Sequence, residues 1–264
     1  MANVLSHNER AAATWGSGGR DYDRISEGVS DALAHLVNRI DPQPGERFLD
    51  VATGTGWTAR LLSSHGAAVT GIDIGAGVIE AAKALAPEMD FRVADAEALP
   101  LEDASFDAVT SSFGVMFVAQ PEVAARELAR VCKEGGRLGL ITWVPEGTVT
   151  GIFQTMRPYM PPLPANPPPS PFEWGRPERV RELLGDKFEL RFEAGTTTLR
   201  MPTGEAVWEL FVNGYGPTKT LAASIDSQRR GQLKRDFIAF HERYRSDLGI
   251  AMPRDYLVTI GYRK

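Results

Sequence analysis

From residue 47 onward the chain alternates short apolar, β-rich runs with stretches of helical periodicity. Arg47–Val51, Ala68–Asp73, Asp90–Ala94, Phe106–Ser112 and Arg137–Trp143 predict five strands. Between them, Trp57–Ser64, Val78–Ala86 and Pro121–Val131 carry the three-and-four spacing of helices with one buried face. Strands joined by helices of this length form βαβ units, so a doubly wound α/β fold with a parallel sheet is expected. Ahead of the sheet, residues 22–40 set Ile25, Val29, Leu33, Leu36, Val37 and Ile40 at helical spacing, and Asp41-Pro42-Gln43-Pro44-Gly45 breaks the chain. Residues 158–171 hold eight prolines and predict a stiff extended loop. Further on, Phe188–Met201 predicts a strand, Glu205–Val212 and Pro217–Leu248 predict helices, and Tyr256–Tyr262 predicts a closing strand. Late strands with helices inserted between them suggest a cap over the sheet's carboxyl edge, where open α/β sheets bind ligands.

Composition narrows the functional classes. At 264 residues and 43% hydrophobic, the chain can bury one large α/β domain, with or without a small cap. Met1–Arg20 is polar and lacks an apolar h-region, so no signal peptide is expected. No run approaches the roughly 20 apolar residues of a membrane span, and no membrane partner is expected. The single cysteine, Cys132, reads as helical and can form no internal disulfide, so a cytoplasmic location is expected. A net charge of −5 supplies no basic face, and no nucleic-acid partner is expected. The most basic stretch, Arg229–Arg245, mixes its cations with Asp236 and Glu242 and reads as a solvated helix face.

The candidate chemistry begins at Leu49-Asp50-Val51-Ala52-Thr53-Gly54-Thr55-Gly56-Trp57, which follows a strand and opens a helix. Gly54 and Gly56 let a ligand approach the main chain. Asp73 ends the second strand, where a carboxylate accepts hydrogen bonds from the two hydroxyls of a ribose. Both features suit a dinucleotide as well as S-adenosylmethionine. Asp50 separates the two: a carboxylate beside the glycines repels a pyrophosphate and favours an ammonium and a sulfonium. Asp95 ends the third strand, where it can accept from the exocyclic amine of adenine, and the N–H of Ala96 can meet a ring nitrogen.

The segments LDVATGTGW, GIDIG, VADAEALPLEDASFDAVTSSFG and ELARVCKEGGRLGLITW resemble the class I methyltransferases, most nearly the ubiquinone/menaquinone-biosynthesis group. The resemblance covers roughly residues 45–145. It implies a Rossmann-like sheet of seven strands, the last antiparallel, with S-adenosylmethionine across the carboxyl ends. By position it implies that Asp50, Ala52, Gly54 and Gly56 face the methionine portion and that Asp73 and Ile74 hold the adenosine. Asp95 and Ala96 would read adenine, and Ser112 would approach the methionine end. At residue 52 many relatives have glycine. Trp15–Tyr22 resembles an aromatic lid in which Tyr22 closes over the methionine carboxylate. The resulting divisions are a helical lid (1–44), a cofactor-binding core (45–145) and the remaining strands with a substrate cap (146–264).

Methyl transfer is an in-line displacement at an activated carbon, and positioning and exclusion of water supply much of the acceleration. It needs neither a metal nor a covalent nucleophile, and the sequence contains no zinc spacing or Ser/His/Asp elbow. His241 is the one histidine with a claim to line the cap as a base. Phe113, Met116 and Phe117 follow the fourth strand, and Trp143 ends the fifth. With Tyr159, Trp174, Asn213 and Tyr215 they form an aromatic, weakly polar set that suits a small hydrophobic or aromatic acceptor. Two other functions fit such a pocket: a non-methylating enzyme of the same fold, or a cofactor-sensing scaffold.

Overall fold

Strand β1 (Arg47–Val51) buries Phe48, Leu49 and Val51 completely, as a strand covered by helices on both faces must. In the computed structural model, which describes residues 4–162, 167 and 169–264, β1 lies mid-sheet between two parallel neighbours. These are β2 (Ala68–Asp73) and β4 (Phe106–Ser112). β3 (Asp90–Val93) continues beyond β2, and β5 (Cys132–Trp143) beyond β4. Strand order therefore reverses between β1 and β4, the switch point at which such sheets open a crevice along their carboxyl edge. β6 (Phe188–Met201) lies outermost, and β8 (Gly249–Arg263) runs antiparallel between β5 and β6. A two-residue strand, β7 (Arg245–Ser246), pairs with the start of β8. The seven long strands thus follow the order 3-2-1-4-5-8-6, and the last in the chain is the antiparallel one.

Three helices precede the sheet: α1 (Glu9–Gly16), α2 (Tyr22–Glu27) and α3 (Ser30–Ile40). The periodic stretch 22–40 is two helices rather than one. It breaks at Gly28-Val29, and the freed Gly28 carbonyl accepts from the Arg254 guanidinium. α4 (Trp57–Ser64), α5 (Ala76–Leu85) and α6 (Pro121–Val131) connect the parallel strands. Cys132 is not helical: it opens β5, buried and paired with Phe106. The prolines support 3-10 turns at Arg157–Tyr159 and Pro171–Gly175, while residues 163–166 and 168 of the expected extended loop lie outside the described residues.

A second core stands beyond the sheet. β5 reaches β8 only from Trp143↔Tyr256 to Arg137↔Tyr262, whereas β6 follows β8 on to Met201↔Ile250. The closing strand therefore begins at Gly249, not Tyr256, and the overhanging ribbon offers Ile250 and Met252 as a buried floor. On this floor pack α7 (Thr148–Met156), α9 (Gly204–Gly214), α10 (Gly216–Ser224) and α11 (Ser227–Glu242), with Trp208, Phe211 and Phe237 at the centre. α8 (Pro177–Leu184) instead packs beside α6. The stretch 217–248 divides because the Asp226 side chain accepts from the Arg229 N–H and starts a new helix there. α1 rests on α10 and α2 on α9, so the N-terminal helices bridge the two cores.

Candidate active site

The loop after β1 turns sharply. Ala52, Gly54 and Gly56 all take positive φ, at 56°, 57° and 86°. Gly56 starts α4 and is a packing position, because a Cβ there would come within 2.7 Å of the Phe91 ring. Ala52 carries a side chain in the left-handed region, which costs about 1–2 kcal/mol. Its methyl fits because residue 114 is glycine: a Cβ at Gly114 would lie 2.2 Å from that of Ala52. Phe113 also has positive φ, 58°, an uncommon conformation for a bulky residue, and it swings the ring away from the end of β4.

Three acids lie beneath and beside this loop. Asp50 is buried and accepts from the hydroxyls of Thr53 (2.6 Å) and Thr110 (2.8 Å). Burial pushes its carboxyl up to about 6 against those hydrogen bonds, and the Asp73 charge adds to the rise. Asp73 accepts from the N–H groups of Gly54 (2.9 Å) and Gly75 (2.8 Å), so one carboxylate fixes both the glycine loop and the entry to α5. Its carboxyl is raised by burial, which these backbone donors oppose. Asp95 accepts from Asn8 Nδ2 (2.9 Å) and from the N–H groups of Leu5 and Glu97. Glu97, itself buried, accepts from Ala119 and Gln120 N–H and meets His7 Nε2 at 2.7 Å. The N-terminal segment is thus tied down over the end of β3. Farther along, Asp23 accepts from Thr55 Oγ1 (2.8 Å) and pairs with Arg60.

Under this strap lie two adjoining cavities. The first, with about 780 Å³ of space open at its mouth, is walled by Gly54, Asp73, Ile74, Asp95, Ala96 and Ser112, with Asn8, Trp15 and Tyr22 from the N-terminal segment. The second, about 840 Å³, runs from Asp50 and Thr58 toward the cap. Its walls include Leu33, Trp57, Trp143, Phe153, Phe211 and Tyr215. Trp15, Tyr22, Ala52, Gly54, Ser112, Phe113 and Phe117 face both. Phe113 stacks on Trp143 with centroids 3.8 Å apart, and Trp15 packs on both Phe117 and Tyr215. Burial holds the phenols of Tyr22 and Tyr215 far up, Asp73 adding to the first and Tyr22 to the second, so both stay protonated.

The family described as "Methyltransferase domain" matches residues 49–140, the stretch that carries the loop and the three acids. The uncharacterized protein Rv1405c of Mycobacterium tuberculosis is 36% identical over 244 residues, 89% of this chain and 88% of its own length. The demethylmenaquinone methyltransferase of Renibacterium salmoninarum is 43% identical over 103 residues, covering 39% of this chain and 44% of that enzyme. Among solved structures, a putative methyltransferase from Bacillus halodurans C-125 shares the fold with a TM-score of 0.59. It is 20% identical, and the match covers 87% of this chain and 97% of that one. The chain belongs to the class I S-adenosylmethionine-dependent methyltransferases.

In this methyltransferase the residues anticipated from sequence divide sharply. Tyr22, Ala52, Gly54, Asp73, Ile74, Asp95, Ala96 and Ser112 line the first cavity, while Asp50 lines only the second. Gly56 lines neither. Phe113, Phe117, Trp143 and Tyr215 wall the second cavity. Met116, expected beside them, points into the core from the turn that presents Phe117. Tyr159 is held in the second core, its hydroxyl donating to Asp236. Trp174 is buried beside β5, its carbonyl accepting from Thr142 Oγ1. Asn213 is exposed, because Phe211 on α9 and Tyr215, which caps its end, turn inward four residues apart and residue 213 falls between them. His241 is fully buried among Phe211, Phe237 and Phe240, donates from Nδ1–H to the Phe237 carbonyl, and lines neither cavity. Burial holds its imidazole down at about 4. Asn8 also lines the first cavity, and Trp57, Phe153, Phe211 and Arg254 the second, none of them among the residues expected there from sequence. No group of metal-binding side chains occurs among the described residues, and no helix there is long and apolar enough to cross a membrane.

Proposed function

We propose that the protein transfers the methyl group of S-adenosylmethionine to a small hydrophobic or aromatic acceptor held in the second cavity. One observation carries this reading: an acid-walled cavity and an aromatic cavity meet at Tyr22, Ala52, Ser112 and Phe113. The donor set fits the cofactor. Asp73 already takes one backbone donor on each oxygen, and its remaining lone pairs are left for ribose hydroxyls. Asp95 keeps capacity on Oδ1, which accepts only from Glu97, and this suits the adenine amine beside the Ala96 N–H. Asp50 and Asp73 supply negative charge and no phosphate cradle, which favours a cationic ligand over a dinucleotide.

The cofactor, when bound, supplies a methyl carbon already activated by a sulfonium. The protein's own part is to orient and to exclude water. Residues 4–44 act in this reading as the lid, closing the first cavity through Asn8, Trp15 and Tyr22, while α7 and α9–α11 with the β6–β8 overhang act as the substrate cap. Phe113, Phe117 and Trp143 give the acceptor flat apolar walls. Among the described residues Asp50 is the only carboxylate on the second cavity, and no histidine lines it. Strong general-base chemistry is therefore not part of the reading. An aromatic chamber with one guanidinium also suits a small molecule better than a polynucleotide, which needs a basic groove.

The test is incubation with methyl-labelled S-adenosylmethionine and a panel of quinols, phenols and amines. Label should reach a quinol or phenol. Tight cofactor binding with no label on any acceptor would overturn methyl transfer in favour of a non-methylating enzyme or a sensor.

A further inference from the structure

Arg254 is the charged residue of the second cavity that the reading above leaves without a task. It sits on the β8 overhang, 5% exposed, and lines that cavity. Its Nη2 donates to the Gly28 carbonyl, while Nε has no partner among the described residues. No carboxylate of the described residues forms an ion pair with it. Asp31 attracts it from a distance but is itself engaged by Thr197 Oγ1 and the Ala32 N–H. Burial outweighs that attraction and lowers the guanidinium to about 10, so it stays charged at neutral pH. A buried cation with one backbone acceptor is costly to leave in place unless something compensates its charge.

Its surroundings point to what would do so. The guanidinium lies over the Trp143 ring, 5.7 Å from the centroid, and Trp143 stacks on Phe113 at the junction of the two cavities. An aromatic track therefore leads from the junction to the cation. Trp57, on the same cavity, also holds an Nε1 donor with no partner among the described residues. The cavity's one carboxylate, Asp50, is on β1, three strand steps from β8, or roughly 14 Å at about 4.8 Å per step. That separation keeps an anion at Arg254 clear of Asp50.

We propose that the acceptor is an aromatic acid: a flat apolar body along Phe113 and Trp143, with an anionic oxygen group paired to Arg254. The proposal rests on the second cavity being the acceptor site. Arg254 selects which molecules enter and positions them; the anionic group is the handle and need not be the atom methylated. A purely structural role, holding the Gly28 carbonyl at the α2–α3 break, would give no preference for charge in the ligand.

The probes are 2-naphthoate and its neutral isostere 2-naphthamide, titrated in the presence of S-adenosylhomocysteine and followed by quenching of the cavity tryptophans. The wild-type protein should bind the acid about 10-fold or more tighter than the amide, the scale of one charge-assisted contact. Arg254→Gln should abolish the preference, and Arg254→Lys should keep part of it, with S-adenosylhomocysteine affinity unchanged in both. Equal binding of the two probes, binding of neither, or a preference that survives in Arg254→Gln overturns the proposal. If Arg254→Gln does not fold, the wild-type ratio and Arg254→Lys decide. Methyl transfer is read separately. Acid preference without label transfer defeats only the methyl-transfer reading, whereas label on neutral acceptors with no acid preference defeats only this one.

Discussion

The two cavities share a wall but are built in opposite ways. The first takes its chemistry from Asp73 and Asp95, which stand at consecutive strand ends within some twenty residues of one another; backbone N–H groups of the adjoining turns fix both, and Leu5 and Asn8 close over Asp95. The second gathers Trp15, Leu33, Trp57, Trp143, Phe211 and Arg254 from across the chain, and side-chain packing alone holds most of them together. A local, hydrogen-bonded cavity keeps its shape as long as the strands and their turns form. A packed, non-local one can change its lining residue by residue without disturbing the sheet. One fold can thus keep a cofactor site while its acceptor site diverges.

The largest effect should come from cutting the local network. Asp73→Ala removes a buried carboxylate and strands two N–H donors, so S-adenosylhomocysteine affinity should fall about 100-fold or more by calorimetry. Affinity within threefold of wild type would break the contrast drawn above. Next is the shared wall. Gly114→Ala drives a methyl into Ala52 and should cost about 2–3 kcal/mol in urea unfolding. Combining it with Ala52→Gly should recover more than half of that loss, and simple additivity would refute the coupling.

Asp50→Asn should act in two directions. A carboxyl raised from 3.8 to about 6 binds its proton more tightly in the folded state. The contribution of Asp50 to the stability of the ligand-free protein is therefore fully present below about pH 4 and is lost as pH rises through 6. At pH 7 the amide should raise the midpoint of unfolding, by roughly 1–2 kcal/mol once altered hydrogen bonds are allowed for. It should also weaken cofactor binding about tenfold. Trp143→Leu sharpens the comparison from the other side: acceptor KM should rise about fivefold with cofactor Kd unchanged. The smallest effect belongs to His241→Leu, with kcat/KM at pH 7 within about twofold of wild type. Since the folded imidazole titrates near 4 and the unfolded one near 6.5, the wild-type protein loses stability as pH falls through that window. The leucine variant should lose less, as read from thermal melts at pH 7 and pH 5.

How much was legible follows the same divide. The glycine loop and the acids could be read because each sits at a fixed offset from a strand end. Asn213 and Tyr159 misled because residue type alone carries no facing. Arg254 carries a signal in the sequence as well. Extending the closing strand's alternation backward puts Ile250, Met252, Arg254 and Tyr256 on one buried face, and an arginine in that register is the anomaly that marks a site. Pro253 and Asp255 obscured it by making the run look like a loop.

Sequence alone determined the strand–helix alternation, the loop conformation and the acid wall, because periodicity, turn chemistry and helix starts act over a few residues. Only the tertiary structure decided that β6 and β8 overhang the sheet and carry a second core. It also decided that His241 belongs to that core, and that Arg254 faces a cavity 226 residues along the chain from the carbonyl it holds. Those outcomes depend on which buried surfaces meet, and the energy of such contacts is non-directional and roughly proportional to area, so no local pattern encodes the partner.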